Sequence, residues 1–270
     1  MKVLRTSDER FSDLPDFAFA PRYLDVGPAF SLRMHYLDEG PCDAAPVLLM
    51  HAEPSWCFLY RKMIPPLAAR GHRAVAPDLI GFGRPDKPIN RSDYSFERHV
   101  DWMSNLLVSW ISGRSRSSVR TGAAPSGCGW LRGFPERFAA VIASKTGLPT
   151  GGGRIPFPFK IWLAFSQYVP RLPIGWLISK GTVRELNDAE RKAYDAPFPN
   201  ESYKAGARQF PALVPITECK QAWDVLGRFD EHFLTVFSDR NPITRGGDRA
   251  SQQRIPGASR QPHVTIRGAE

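Results

Sequence analysis

Two apolar runs, each broken abruptly by a loop, constrain this chain most. "APVLLMHAEPSW" (45–56) is apolar as far as Met50 and breaks at His51. "RAVAPDLIGFGRPDKP" (73–88) follows the same plan and closes in a Gly- and Pro-rich turn. Short continuous runs of this kind suit strands buried in a sheet. Between them, "YRKMIPPLAARGH" (60–72) reads as a short helix closed by Gly71. After them, "SFERHVDWMSNLLVSW" (95–110) puts Val100, Met103, Leu106 and Leu107 at helical spacing. Strand, helix, strand, helix implies parallel strands joined by crossover helices. "LRMHYLDEG" (32–40) adds an alternating strand ahead of them.

The pattern is lost from 112 to 133 and resumes in "FPERFAAVIASKTG", a helix end followed by a strand. Residues 149–222 are aromatic, Pro-rich and helical between breaks, as in "LPTGGGRIPFPFKIWLAFSQYVPRLPIGWL". "HFLTVFSDRNPI" is again strand-to-loop, and "QPHVTIRGAE" gives a last strand. The expected fold class is α/β: a mostly parallel sheet flanked by helices, carrying an inserted helical cap. Its parts are a core over 1–148 with 112–133 out of pattern, a cap over 149–222, and a core continuation over 223–270, cut short.

The formal net charge of +9 raises the question of polyanions. The basic residues form no stripe and have no interleaved aromatics, so nucleic acid is not expected as a partner. No apolar run reaches the roughly 18 residues of a membrane span, and "MKVLRTSDERFSDL" lacks the apolar region of a signal peptide. Cys42, Cys57, Cys128 and Cys219 have neither C-x-x-C nor metal-ligand spacing. A cytoplasmic protein without metal or cofactor is expected.

"HAEPSW" and "PDLIGFGRPDKP" together resemble the haloalkane dehalogenases, a branch of the α/β-hydrolase fold. So do "RTSDERFSDLPDFAFAPRYL", "LYRKMIPPLAARGHRAVAPDLIGFG", "YDAPFPNESYKAGARQFP" and "PITRGGDR". The likeness spans the chain in the correct order, apart from the out-of-pattern segment. It implies hydrolysis of a carbon–halogen bond. An Asp displaces halide to form an alkyl ester, and a His supported by an acid activates the water that cleaves it. The implied partners are a small halogenated alkane and halide ion, and a monomer is expected.

Three departures from the family pattern bear on activity. The family's nucleophile lies in Q-D-W-G-G, which this chain lacks; Thr121 occupies that position and is expected to be a solvated loop residue. If the underlying codons are read one base out of phase, Ser117 to Gly133 can become LVCQDWGGPIGLRLAAG, of the same length. That reading points to a frameshift, and it would remove Arg114, Arg116, Arg120 and Arg132, so much of the basicity belongs to the segment. The acid position is Asn241, which keeps the shape of Asp without the charge to support an imidazolium. The family's base His follows in G-H-F, where this sequence reads Glu270; His35, His51, His72, His99, His232 and His263 are all expected to be structural.

Other site residues are implied to remain. Glu53 matches the family's H-G-E-P position: its N–H would join the oxyanion hole and its side chain would place water. Ala52 stands where the family has Gly, and would strain the turn if that position needs positive φ. Trp56 would line the pocket or sit in the core. Trp162 matches the cap Trp whose indole N–H holds halide, and Phe157, Phe159, Phe165 and Trp176 read as cap packing and tunnel wall. The sequence therefore reads as a dehalogenase-like protein inactive as written. The alternatives are an active enzyme whose sequence is mis-recorded, or a non-catalytic small-molecule binder; an epoxide hydrolase fits the Glu-Pro-Ser-Trp turn less well.

Overall fold

A computed structural model describes residues 1–27, 31–111, 135–144, 146, 157–213, 219–240 and 246–268. The strands are β1 (Val3–Leu4), β2 (Arg22–Val26), β3 (Leu32–Glu39), β4 (Pro46–Leu48), β5 (Arg73–Pro77), β6 (Lys87–Pro88), β7 (Ala140–Ser144), β8 (His232–Ser238) and β9 (Val264–Ile266). The helices are α1 (Ile64–Ala69), α2 (Phe96–Ile111), α3 (Phe157–Tyr168), α4 (Ile174–Lys180), α5 (Asp188–Asp195), α6 (Ala205–Gln209), α7 (Cys219–Leu226) and α8 (Asp248–Arg254). Helix α7 runs across the domain boundary expected at 222.

Among the described residues, one sheet has the order β2-β3-β5-β4 and a second the order β7-β8-β9; β1 and β6 form a separate antiparallel pair. β3 runs antiparallel to both β2 and β5, whereas β4–β5, β7–β8 and β8–β9 are parallel. Among the described strands, β4 and β7 each stand at the end of a sheet. The expected frame lesion at 112–133 falls between α2 and β7 in sequence, and it lies outside the described residues, as does the nucleophile position.

Side-chain alternation explains why the strand runs are continuously apolar. Leu48 and Met50, Val75, and Leu32 and Met34 face one core cluster, together with Met103, Leu106 and Leu107 of α2. Val47 and Leu49, Ala74 and Ala76, and Leu37 face the other, together with Ile64 of α1. With both faces covered, successive residues point to opposite layers and all of them are apolar.

The segment after β7 meets the core through specific bonds. In α5, Asn187 and Glu190 form a capping box, and Glu190 also takes Arg61 at 2.7 Å and Arg184 at 2.6 Å. Thr6 Oγ1 donates to the Pro197 carbonyl at 2.7 Å, and Arg10 donates to that of Ala196 at 2.8 Å.

The "GFG" of the second turn is required by what lies beneath it. Gly83 has φ +34°, and a Cβ there would stand 2.0 Å from Oδ2 of the buried Asp78. Gly83→Ala should therefore cost roughly 3 kcal/mol or more, the upper range for one substitution. Chemical denaturation would measure this; an unchanged midpoint would refute the clash.

Candidate active site

The site is built on the loops that follow β4 and β5. His51, the first residue beyond Met50, ties the two loops together: its Nε2 accepts the Leu79 N–H at 3.0 Å, and its Nδ1 lies 3.3 Å from the Ala52 carbonyl. Burial lowers its pKa, against the opposing charge of Asp78, so the neutral ring is favoured. The Ser55 N–H and Oγ both donate to the Ala52 carbonyl, at 2.9 and 2.8 Å, closing a turn with Glu53 and Pro54 at its corner. The strain anticipated at Ala52 is not there. Its φ is not positive, so its backbone conformation is one that alanine adopts without that strain.

Asp78 fixes the floor. It is wholly buried and accepts from His35 Nδ1 at 2.8 Å, from the Cys57 N–H at 2.6 Å and from the Arg84 N–H at 3.2 Å. Burial alone would raise its pKa. The hydrogen bond and charge of His35, the charge of His51 and the Cys57 N–H outweigh burial and hold it at about 2. His35, Cys57 and Asp78 could in principle offer three ligand atoms to a metal, all within 4.8 Å of one another. The carboxylate is already occupied by N–H donors, however, and burial pushes the Cys57 thiol up, away from the thiolate a metal needs. The cluster is a structural node.

Glu53 and Trp162 come together. The indole of Trp162, on α3, faces the Glu53 carboxyl, close enough for its N–H to act on that group's pKa. Burial raises that carboxyl well above its ordinary range, outweighing the indole, and Oε1 is buried with no partner. The neutral acid is thus the favoured form.

Trp56 stands elsewhere. It is wholly buried, gives its indole N–H to the Ala193 carbonyl at 3.1 Å, and packs against Phe11, Phe17 and Phe58. Of the two roles open to it from sequence, the core position is the one occupied, and its N–H is not available to a halide. Phe165 packs against the core, whereas Phe157 and Trp176 are exposed at 73% and 51%, which does not suit the packing or tunnel wall expected of them. Thr121 and Asn241 lie outside the described residues.

All six histidines are described. His35 holds Asp78, and His51 joins the loops. His263 Nδ1 accepts the Thr235 N–H at 3.2 Å while Nε2 lies 2.9 Å from the Ala258 carbonyl, and His232 meets Gln261 at 3.0 Å. His72 is exposed at the end of the α1 segment. His99 is the one whose environment sequence reading missed. It is buried among Tyr94, Trp102 and Phe210, with neither ring nitrogen hydrogen-bonded. Burial, aided by the charge of His51, pulls it down to about 3. Its position on the apolar face of α2, in register with Met103 and Leu106, was the signal available.

A raised carboxyl makes a signed prediction. Wild type loses stability as pH rises above about 4.5, the ordinary Glu value, because the unfolded chain ionises first. Glu53→Gln removes that penalty, so the variant should be the more stable at neutral pH and the two curves should converge below that value. Urea titrations across pH would show it; parallel curves would contradict the raised pKa.

The family model described as alpha/beta hydrolase fold matches residues 45–108. A haloalkane dehalogenase of Psychrobacter cryohalolentis is 50% identical, covering 98% of this chain and 91% of that protein. A second, from Mycobacterium marinum, is 45% identical over 98% of this chain and 93% of its own. Among solved structures, the tetrameric haloalkane dehalogenase DpaA of Paraglaciecola agarilytica NO2 superposes with a TM-score of 0.89 at 32% identity, covering 98% of this chain and 92% of that one. With the fold and the Glu53–Trp162 pair in place, that identity over nearly the full length of both chains makes this chain a member of the haloalkane dehalogenase family.

Proposed function

We propose that this chain retains the ligand-holding side of a dehalogenase site and, with the sequence it has, does not complete the reaction. The observation that carries the reading is the contrast between two sets of side chains. Glu53 and Trp162 meet at a buried, polar, partly unsatisfied spot. The histidines that could activate water are committed to the scaffold, exposed, or, in the case of His99, neutral within an aromatic cage.

The family reaction needs an anion that attacks carbon while the carbon–halogen electron pair leaves with the halide. It then needs a base to take a proton from water as the water oxygen attacks the ester carbonyl. Thr121 carries no ready anion, Asn241 carries no charge, and no described histidine is free to act as that base. The members of such a set act together, so losing them removes most of the rate. What remains suits a small halogenated alkane or a halide. Trp162 would exchange its contact with Glu53 for the ligand: its indole N–H is a neutral donor, and a neutral carboxylic acid beside it adds no repulsion. The out-of-phase segment is the simplest source of the loss.

No helix among the described residues is long and apolar enough to cross a membrane. A cytoplasmic location remains the reading from cysteine usage. Assembly is carried over from the tetrameric relative: copies of this chain associate, in place of the monomer suggested by sequence.

Bromide titration followed by tryptophan fluorescence tests the binding half. Saturable quenching is expected, weakened about tenfold or more in Trp162→Phe, with no halide released from chloro- or bromoalkanes. Affinity should fall as pH rises and Glu53 ionises, and Glu53→Gln should flatten that dependence. Halide release by the chain as written would overturn the proposal.

A further inference from the structure

Helix α3 has two faces of opposite character. On its inner side, Trp162 faces Glu53, Phe165 packs against the core, and the Ser166 carbonyl accepts from Arg208 at 3.1 Å. On its outer side, Phe157, Ile161 and Tyr168 are 73%, 55% and 84% exposed, and Ala164 between them is exposed as well. At about 100° per residue these four positions fall within an arc of roughly 60°, a continuous apolar stripe. Lys160 is the only charged residue of the helix.

The inner bonds fix the helix, so the stripe is not exposed by fraying. The Gln167 side chain also bonds the Arg208 carbonyl, and Arg91 donates to Gln167 at 3.2 and 3.1 Å. Contiguous exposed apolar surface of this kind marks an interaction site more often than a bare surface.

We propose that the outer face of α3 is the centre of a contact between copies of this chain. The proposal rests on the self-association carried over from the tetrameric relative, and it names the surface. Three large side chains, each more than half exposed, supply roughly half of the about 800 Å² that one partner contributes to a standard interface. The stripe is therefore an interface core that needs a polar rim, which Lys160, Arg91 and Gln167 can supply. Two such faces meeting about a two-fold axis present the same residues to each other, as symmetric contacts require. Because α3 also carries Trp162, the contact would brace the helix that reaches the site.

The net charge of +9 makes the contact testable in sign. Like-charged copies repel, so added salt should strengthen an apolar self-contact, whereas binding to an anionic membrane would weaken. Sedimentation velocity across protein and salt concentrations should show an oligomer fraction rising with both. Ile161→Glu with Tyr168→Glu should leave a monomer of unchanged far-ultraviolet circular dichroism. Tyr168→Ser, at a position too exposed to affect folding, should weaken association several-fold, and Val183→Glu, exposed but off the stripe, should leave it intact. If the double variant assembles like wild type, the assigned face is wrong while self-association stands. A wild type that stays monomeric throughout, or that instead binds phosphatidylserine vesicles, overturns both.

Discussion

The buried carboxylate of Asp78 is the interaction on which the rest of the structure depends. It joins β3 through His35, the loop beyond Glu53 through the Cys57 N–H, and its own turn through the Arg84 N–H. A buried charge is tolerated only where hydrogen bonds replace the water it has lost, and here three donors from three segments do so. The same geometry leaves no room above the carboxylate, and so demands glycine at position 83. His51 reinforces the arrangement by bonding the Leu79 N–H. The loop carrying Glu53 is thereby held by a scaffold independent of any catalytic residue. A chain with altered chemistry can keep that scaffold.

The two halves of the site differ in how they are supported. Glu53 and Trp162 come from a tied-down loop and a braced helix, and their contact follows from elements whose sequence patterning is intact. Thr121 and Asn241, which the family resemblance implies as the nucleophile and acid positions, fall where the family pattern departs, and the proposed reading finds no described histidine free to take the base's role. On the proposed reading, the fold and the holding of a ligand would outlast turnover, because they depend on different residues.

Much of the fold was legible in the sequence, for a physical reason. Continuous apolar runs at β4 and β5 reported burial on both faces, and the spacing of Met103, Leu106 and Leu107 reported one apolar face of α2. Tertiary partners were harder to read. Trp56 has the same sequence neighbours whether it lines a pocket or donates to the Ala193 carbonyl. His99 is a polar residue at a core position, and only the surrounding rings reveal that it lacks a partner. Ala52 shows the limit of reasoning from a substituted glycine, since in this chain its φ is not positive. Phe157, at the head of the outward stripe on α3, was read as cap packing or tunnel wall because an aromatic, helical segment does not show which of its side chains are covered.

The most direct measurement is halide release by a chain into which three elements of the family pattern are introduced together: a segment carrying Q-D-W-G-G over 117–133, Asp at position 241, and Gly-His-Phe following Ala269. If scaffold and ligand-holding residues are intact and only the reacting groups are lost, the resulting chain turns over chloro- and bromoalkanes. A resulting chain that folds, binds bromide and still releases no halide would contradict that division.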